Sequence, residues 1–265
     1  MKKVVVITGA SSGIGFDTAI LLAEKGYQVY GISRSKINHE LLISKQADVT
    51  DINQLNQVLK EIHDETGRID VIINNAGMGI SGSVEYTSIE DLSYILDVNL
   101  KGVVYGCQAA LPYLRETKGK IINVGSVAGT LAIPFQSFYS ASKAAVEAFS
   151  DALSIEVKPM GIKVCTVLPG DIKTGFTKNR RKNAFESELY ETRVSKSIGV
   201  MEKDEQNGMS SHYAAKVFLK LVKKKHMPLV KTIGFKYKVF VFLQKVLPKR
   251  MVVFIVGLLY GFNKY

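Results

Sequence analysis

Only two cysteines occur among the 265 residues, Cys107 and Cys165, both in apolar surroundings. They cannot build a disulfide framework or a zinc cage and read as core thiols; no metal site is expected. Proline is scarce, six against 22 glycines, and the glycines follow no Gly-X-Y period. Collagen-like and low-complexity structure are therefore excluded. Hydrophobic residues at 46% and charged residues at 22% exclude a disordered chain. A chain of this length buries roughly three-quarters of its unfolded surface, so it needs no covalent staple. Long hydrophobic runs are also missing. The longest, residues 251–262, has 12 residues, against roughly 20 needed to cross a bilayer. Residues 4–7 are too short for a signal-peptide core, so a cytosolic chain is expected.

Acid is what the C-terminal quarter lacks. Residues 206–265 hold 12 basic residues and no acidic one, whereas residues 1–205 hold 23 basic and 24 acidic ones. Such a one-sided field suggests an anionic partner: a membrane surface, a phosphorylated substrate or nucleic acid. A solvated basic face around an apolar segment is the plainer alternative. The tail's aromatic residues lie among aliphatic runs, unlike a stacking platform, so no nucleic-acid partner is expected.

What the chain does have is alternation. Strands are expected at residues 3–8, 28–33, 70–74, 120–125 and 162–168, apolar runs that suit strands covered on both faces. Leu55, Val58, Leu59 and Ile62 fall at helical spacing, with Asp51 at the N-cap and Gly67 past the end. Another helix opens at Ser88, where Asp91 completes a capping-box pattern. The alternation favours an α/β fold with a parallel sheet flanked by helices. No repeat or linker divides it, so one domain over 1–265 is expected. Residues 175–210, polar and carrying Arg180-Arg181-Lys182 without a clear strand, are expected to form a substrate flap. Residues 235–265 form an apolar and basic C-terminal extension that should not span a membrane.

The first strand ends in Thr8-Gly9-Ala10-Ser11-Ser12-Gly13-Ile14-Gly15. Gly9 permits the sharp turn, Gly13 leaves room for a pyrophosphate, and Gly15 lets the helix pack on the strand. Ser11, Ser12 and Ile14 complete the turn, whose N–H groups face the phosphates at a helix start. In this strand-turn-helix context the sequence predicts dinucleotide binding. The second strand ends Ile32-Ser33-Arg34-Ser35, with no acid to grip a ribose 2′-hydroxyl. Arg34 could pair with a 2′-phosphate and Ser33 could hydrogen-bond to it, which favours NADP(H). A surface arginine is the plain alternative.

Tyr139-Ser140-Ala141-Ser142-Lys143 puts a phenol and an ammonium four residues apart on one helix face. A free tyrosine, with a pKa of about 10, is a poor base near neutrality. A nearby ammonium and an oxidised nicotinamide would both lower it. Ser126, at a strand end, could hydrogen-bond a substrate oxygen as charge develops.

Together these motifs resemble the short-chain dehydrogenase/reductase family, in its soluble subtype of roughly 250 residues. The resemblance runs from Lys2 to about Thr174 through the glycine turn, Asp48-Val49, Asn74-Asn75-Ala76-Gly77, Asn99, Ser126, Tyr139 with Lys143, and Pro169-Gly170 with Thr174. It implies a Rossmann-like, doubly wound sheet and an oxidoreductase moving hydride between a nicotinamide and a carbonyl or secondary alcohol. It further implies a catalytic tetrad of Asn99, Ser126, Tyr139 and Lys143. Tyr139 is the general acid/base, Lys143 also holds the nicotinamide ribose, and Asn99 holds a water linking Lys143 to solvent. By the same resemblance, Asp48 and Val49 contact the adenine, and Asn75, Ala76 and Gly77 flank its ribose. Asn74 braces the sheet. Pro169, Gly170, Ile172 and Thr174 hold the carboxamide. One departure is Gly125, where many relatives have serine.

Ala141, Ala144, Ala145, Ala148 and Ala152 offer a small-residue helix surface that in the family often joins a partner, so a dimer or tetramer is expected. The tail loosely resembles those of members acting on steroids, retinoids or acyl-glycerone lipids. A bulky hydrophobic ketone or alcohol, such as a steroid or other lipid, is the expected substrate. Peripheral membrane contact through the basic tail is expected too. A smaller carbonyl substrate and a non-catalytic, membrane-associated NADP sensor remain the alternatives.

Overall fold

The computed structural model describes residues 1–262; the last three residues of the extension expected over 235–265 lie outside the described residues. The first half runs β1 (Val4–Thr8), α1 (Gly13–Glu24), β2 (Gln28–Ser33), β3 (Ile43–Gln46), α2 (Ile52–Thr66) and β4 (Val71–Asn74). A short β5 (Ile80–Ser81) leads to α3 (Ile89–Leu96), a π turn at Asp97–Lys101, and α4 (Gly102–Thr117). Next come β6 (Lys120–Val124), α5 (Val127–Thr130), α6 (Ser137–Glu156) and β7 (Lys163–Pro169). The remainder is β8 (Ile172–Lys173), β9 (Arg181–Lys182), α7 (Glu188–Gln206), β10 (Met209–Ser210), α8 (Ser211–Lys223), β11 (Val230–Ile233), α9 (Phe235–Val246) and α10 (Lys249–Leu259).

Seven strands pair in the order β11-β7-β6-β4-β1-β2-β3, every neighbour parallel. Successive side chains of a strand point to opposite faces, and both faces are covered. Val4 and Val6 join Leu55, Leu59, Val103, Leu114 and Leu153 on one side. Val5 and Ile7 join Ala19, Leu22, Phe218 and Leu221 on the other. That double burial is why the inner strands carry unbroken Val/Ile runs. Cys107 and Cys165 are buried in these two layers, and burial pushes both thiols up to about 12.

Asp51 caps α2, its carboxylate accepting from Asn53 N at 2.9 Å and Gln54 N at 3.2 Å, and Gly67 ends the helix at φ +70°. Ser88 caps α3 through Asp91 N at 3.1 Å. The Asp91 carboxylate does not complete the expected capping box; it pairs with Arg181 at 2.6 Å.

Two strands of the seven-stranded sheet lie outside the expected set. β3 is an edge strand of four residues with both ends exposed, and β11 is equally short. The 175–210 segment is more ordered than a flap without strands. β9 pairs with β5, and α7 covers 19 residues. Val194, Ile198 and Met201 form a narrow apolar stripe on α7, while Glu188 and Glu191 sit in its first turn, where the helix dipole favours acid. The stripe is too thin to stand out in so polar a sequence. Among the described residues, no helix is long and apolar enough to cross a membrane.

Candidate active site

The chain leaves β1 towards β2 and β3, and later resumes on the other side of β1 at β4. A doubly wound sheet opens a crevice at that reversal, beyond the carboxyl ends of its strands. Here the crevice is a cleft of about 800 Å³. Gly9, Ser33, Asn75, Ser126 and Pro169 line it from the ends of β1, β2, β4, β6 and β7.

At the β1–α1 turn Gly9 has φ +65°, and a Cβ there would lie 2.8 Å from Ala76 Cα. A Cβ on Gly15 would strike the Gly9 carbonyl oxygen and Asn75 Nδ2. Only glycine fits either position. The Ser12 N-cap makes no side-chain bond and the first turn of α1 holds no acid. Ser11, Ser12, Gly13 and Ile14 line the cleft at this helix start, the place where an anion site forms. Thr174 closes over Gly13, whose Cβ would meet Thr174 Cγ2 at 3.3 Å. Pro169, Gly170 and Ile172 line the same wall. The residues present therefore fit a dinucleotide pyrophosphate.

Asn75 braces this turn: its Nδ2 donates to the Thr8 and Gly9 carbonyls at 3.1 Å each, while Thr8 Oγ1 accepts from Asn75 N and Ala76 N. Asn74 lies in the core and donates to Asn123 Oδ1 at 2.8 Å. At the far end of the cleft are Ser33, Arg34, Asp48 and Val49. Ser33 Oγ donates to the Ser35 carbonyl at 2.5 Å. Asp48 Oδ1 accepts from Thr50 N and Oγ1. Exposed Arg34 donates to Tyr94 Oη at 3.0 Å. Arg181 stacks over the Tyr94 ring, 4.3 Å from its centroid. Tyr94 and Arg181 both line the cleft and were not among the sequence candidates as binding residues. The signal was half present, since Arg181 belongs to the basic triplet, but only folding brings it to Tyr94.

Ser126, Tyr139 and Lys143 line the cleft, whereas Asn99 is fully buried and does not line it. Buried Asn99 sits in the π turn, where its Oδ1 accepts from Met78 N at 2.8 Å. Its Nδ2 donates to the Met78 carbonyl at 2.9 Å and to Ser142 Oγ at 3.1 Å. A Cβ on Gly77 would lie 3.2 Å from Asn99 Oδ1 and 3.3 Å from Lys143 Nζ, so Gly77 lets the two meet. Ser126 caps α5 through Ala128 N at 3.1 Å. Gly125, the departure from the family pattern, has a packing cause: a Cβ would lie 2.9 Å from Leu168 Cδ2.

Lys143 is buried and donates to the Val124 carbonyl at 2.9 Å, with Nζ 5.9 Å from the Tyr139 ring centroid. Desolvation lowers its pKa to about 8. Tyr139 moves in the opposite direction. Burial pushes it up to about 12; Ser126 acts against that, and the nearby Glu205 and Asp171 carboxylates add to it. Without the cofactor the protein's groups thus hold Tyr139 as a phenol, and an oxidised nicotinamide would act alongside Ser126 and Arg180 to lower it.

The rest of the cleft is built by segments outside the recognised motifs. Met201 of α7, Tyr237 and Phe240 of α9, and Val256 and Leu259 of α10 line it. The Tyr237 hydroxyl donates to the Asp171 carboxylate, and Arg180 pairs with Glu205.

A doubly wound parallel sheet with this turn and this side-chain set defines a dinucleotide-binding oxidoreductase. The chain belongs to the short-chain dehydrogenase/reductase family: the family model described as short chain dehydrogenase matches residues 3–184. It is 43% identical over 239 residues to the 3-ketodihydrosphingosine reductase of Bacteroides thetaiotaomicron, covering 88% of each chain. Its fold superposes on a short-chain dehydrogenase from Streptomyces avermitilis with a TM-score of 0.82, at 29% identity over 91% of each chain. An alcohol dehydrogenase from Thermococcus sibiricus, complexed with 5-hydroxy-NADP, gives a TM-score of 0.75 at 25% identity, covering 89% of this chain and 98% of that one. Other solved neighbours of the fold hold NAD or NADH.

Proposed function

We propose that the protein uses NADPH to reduce the ketone of a long-chain lipid, with a keto sphingoid base as the substrate class. The observation that carries this reading is the set of apolar side chains, Met201, Tyr237, Phe240, Val256 and Leu259, that α7, α9 and α10 add to the cleft lined by Tyr139. Similarity to the Bacteroides reductase supports it.

A bound dinucleotide supplies the hydride that adds to the carbonyl carbon. Tyr139 gives its proton to the carbonyl oxygen, and the product is a secondary alcohol. With a pKa of about 12, Tyr139 keeps that proton throughout the neutral range. Ser126 hydrogen-bonds the same oxygen as charge grows on it. Lys143 carries its charge below about pH 8 and holds the nicotinamide ribose. Asn99, its amide committed to Met78 and Ser142, keeps the floor beneath Lys143 in place. Arg34, with Ser33 beside it, takes the 2′-phosphate that distinguishes NADPH from NADH. Asp48 and Val49 border the adenine, and Asn75, Ala76 and Gly77 its ribose. Pro169, Gly170, Ile172 and Thr174 seat the carboxamide.

On this reading the 175–210 segment is a lid, tied to α3 by the Arg181–Asp91 pair at 2.6 Å. The exposed Ala141, Ala144 and Ala148 stripe on α6 supports a homo-oligomer, which light scattering would size. The protein works at the periphery of a membrane, where long-chain ketones reside.

The test follows NADPH oxidation with 3-ketodihydrosphingosine, a ketosteroid and a small diketone. Fastest turnover is expected with the first, and Tyr139→Phe should lower it by roughly 10²–10⁴-fold. Preference for the steroid or diketone refutes the substrate class. NADPH binding without turnover of any ketone would point to a sensor.

A further inference from the structure

The geometry points to a membrane-docking face formed by the outer sides of α9 and α10, fitted to an anionic lipid surface. The two helices face two ways. On α9, Tyr237, Phe240, Val241 and Gln244 recur at helical spacing and turn inward, whereas Phe235, Val239, Phe242 and Val246 form a second apolar stripe facing out. Phe242 is 63% exposed and Phe235 80%. On α10 only Val252 and Val256 are buried, while Met251, Val253, Phe254, Ile255 and Leu258 are exposed. Residues 251–259 contain no polar side chain. A helix apolar all round belongs inside an apolar medium, yet the protein covers α10 on one side alone.

Two further observations select the medium. At 11 residues α10 is about 16 Å long, too short to cross a hydrocarbon core of roughly 30 Å. It can lie in the interface instead. The charges the two helices carry are all cationic: Lys236, Lys238, Lys245, Lys249 and Arg250 fall within or beside them, and no acidic residue follows Glu205 in the sequence. Apolar side chains ringed by ammonium groups match acyl chains beneath anionic headgroups. A second copy of the chain would bring the same positive charges against one another.

The face also explains how a lipid reaches the chemistry, a point that rests on the proposed substrate class. Tyr237, Phe240, Val256 and Leu259 line the cleft from the helices whose outer sides face the bilayer. A lipid ketone could then pass from acyl chains to Tyr139 along an apolar wall.

Flotation of the full chain with vesicles tests docking without substrate or cofactor. Binding is expected to phosphatidylcholine vesicles containing a quarter phosphatidylglycerol, and to fall in high salt. Phe242→Asp with Phe254→Asp should weaken it by roughly tenfold or more. Neither residue lines the cleft, so NADPH-dependent turnover of a water-soluble short-chain ketone should be unchanged in the double variant. A parent protein that stays with the soluble fraction overturns the proposal. So does binding that the double variant retains, or a dimer that it splits while neither form floats. If the parent floats yet reduces no keto sphingoid base, the docking face stands and the substrate reading falls.

Discussion

Lys143 is buried to 4% exposure, with the Val124 carbonyl as its one acceptor among the described residues. Desolvation favours the neutral form, so the pKa falls to about 8 rather than rising as it would beside a carboxylate. Tyr139, at about 12, does not titrate in the working range. The sign for reduction follows. The proton donor is intact on both sides of neutrality, and the ammonium is lost as pH rises past about 8. For NADPH-dependent reduction, kcat/KM should therefore be flat below that pH and fall above it. Lys143→Met should remove the inflection and lower kcat/KM by about 10²-fold or more. Lys120 is also lowered to about 8, but it donates to the carbonyls that end α8, remote from Tyr139. Lys120→Met should leave the inflection in place, and a profile that loses it would assign the titration to the wrong lysine.

At the scale of elements, α7 is fastened by one buried pair and one exposed pair. Arg180 has a fully buried side chain against Glu205, which also accepts from Thr177 Oγ1 at 2.6 Å. Lys182–Glu202, at 2.8 Å, stands half in water. Removing one member of a buried pair strands the other charge, at a cost of about 3–5 kcal/mol. An exposed pair contributes about 1 kcal/mol or less. Glu205→Ala should therefore lower the midpoint of urea unfolding far more than Lys182→Ala; equal effects would show that α7 is not fastened through Arg180. These elements mark where the sequence stopped being legible. Gly9, Gly15, Tyr139 and Lys143 could be read in advance because a tight turn or one helix face dictates residue type at fixed spacing. The five inner strands were legible because burial on both faces demands unbroken apolar runs. β3 and β11 were not, being four residues each at the sheet edges. Nor were Tyr94 with Arg181, or the walls contributed by α7, α9 and α10, because tertiary contact alone joins segments so far apart in the chain.

The whole molecule is organised around the reversal between β1 and β4, and its stability should report what binds there. Both apolar layers meet the cleft through the same strands, so a dinucleotide seated on Gly9, Ser12 and Gly13 contacts the native state and has no counterpart on the unfolded chain. A ligand at 100 times its Kd then adds about 2.7 kcal/mol. For a chain of this size each kcal/mol raises Tm by roughly 2–4 °C. NADPH should thus raise the unfolding temperature by roughly 5–11 °C, with no substrate present. The increment should depend on Arg34, which stands exposed at the adenine end against Tyr94. NADH at equal concentration should give a smaller shift, and Arg34→Ala should bring the NADPH shift down towards it. An NADH shift as large as that of NADPH would mean that Arg34 is a surface residue, and that the cleft accepts either dinucleotide through the glycine turn alone.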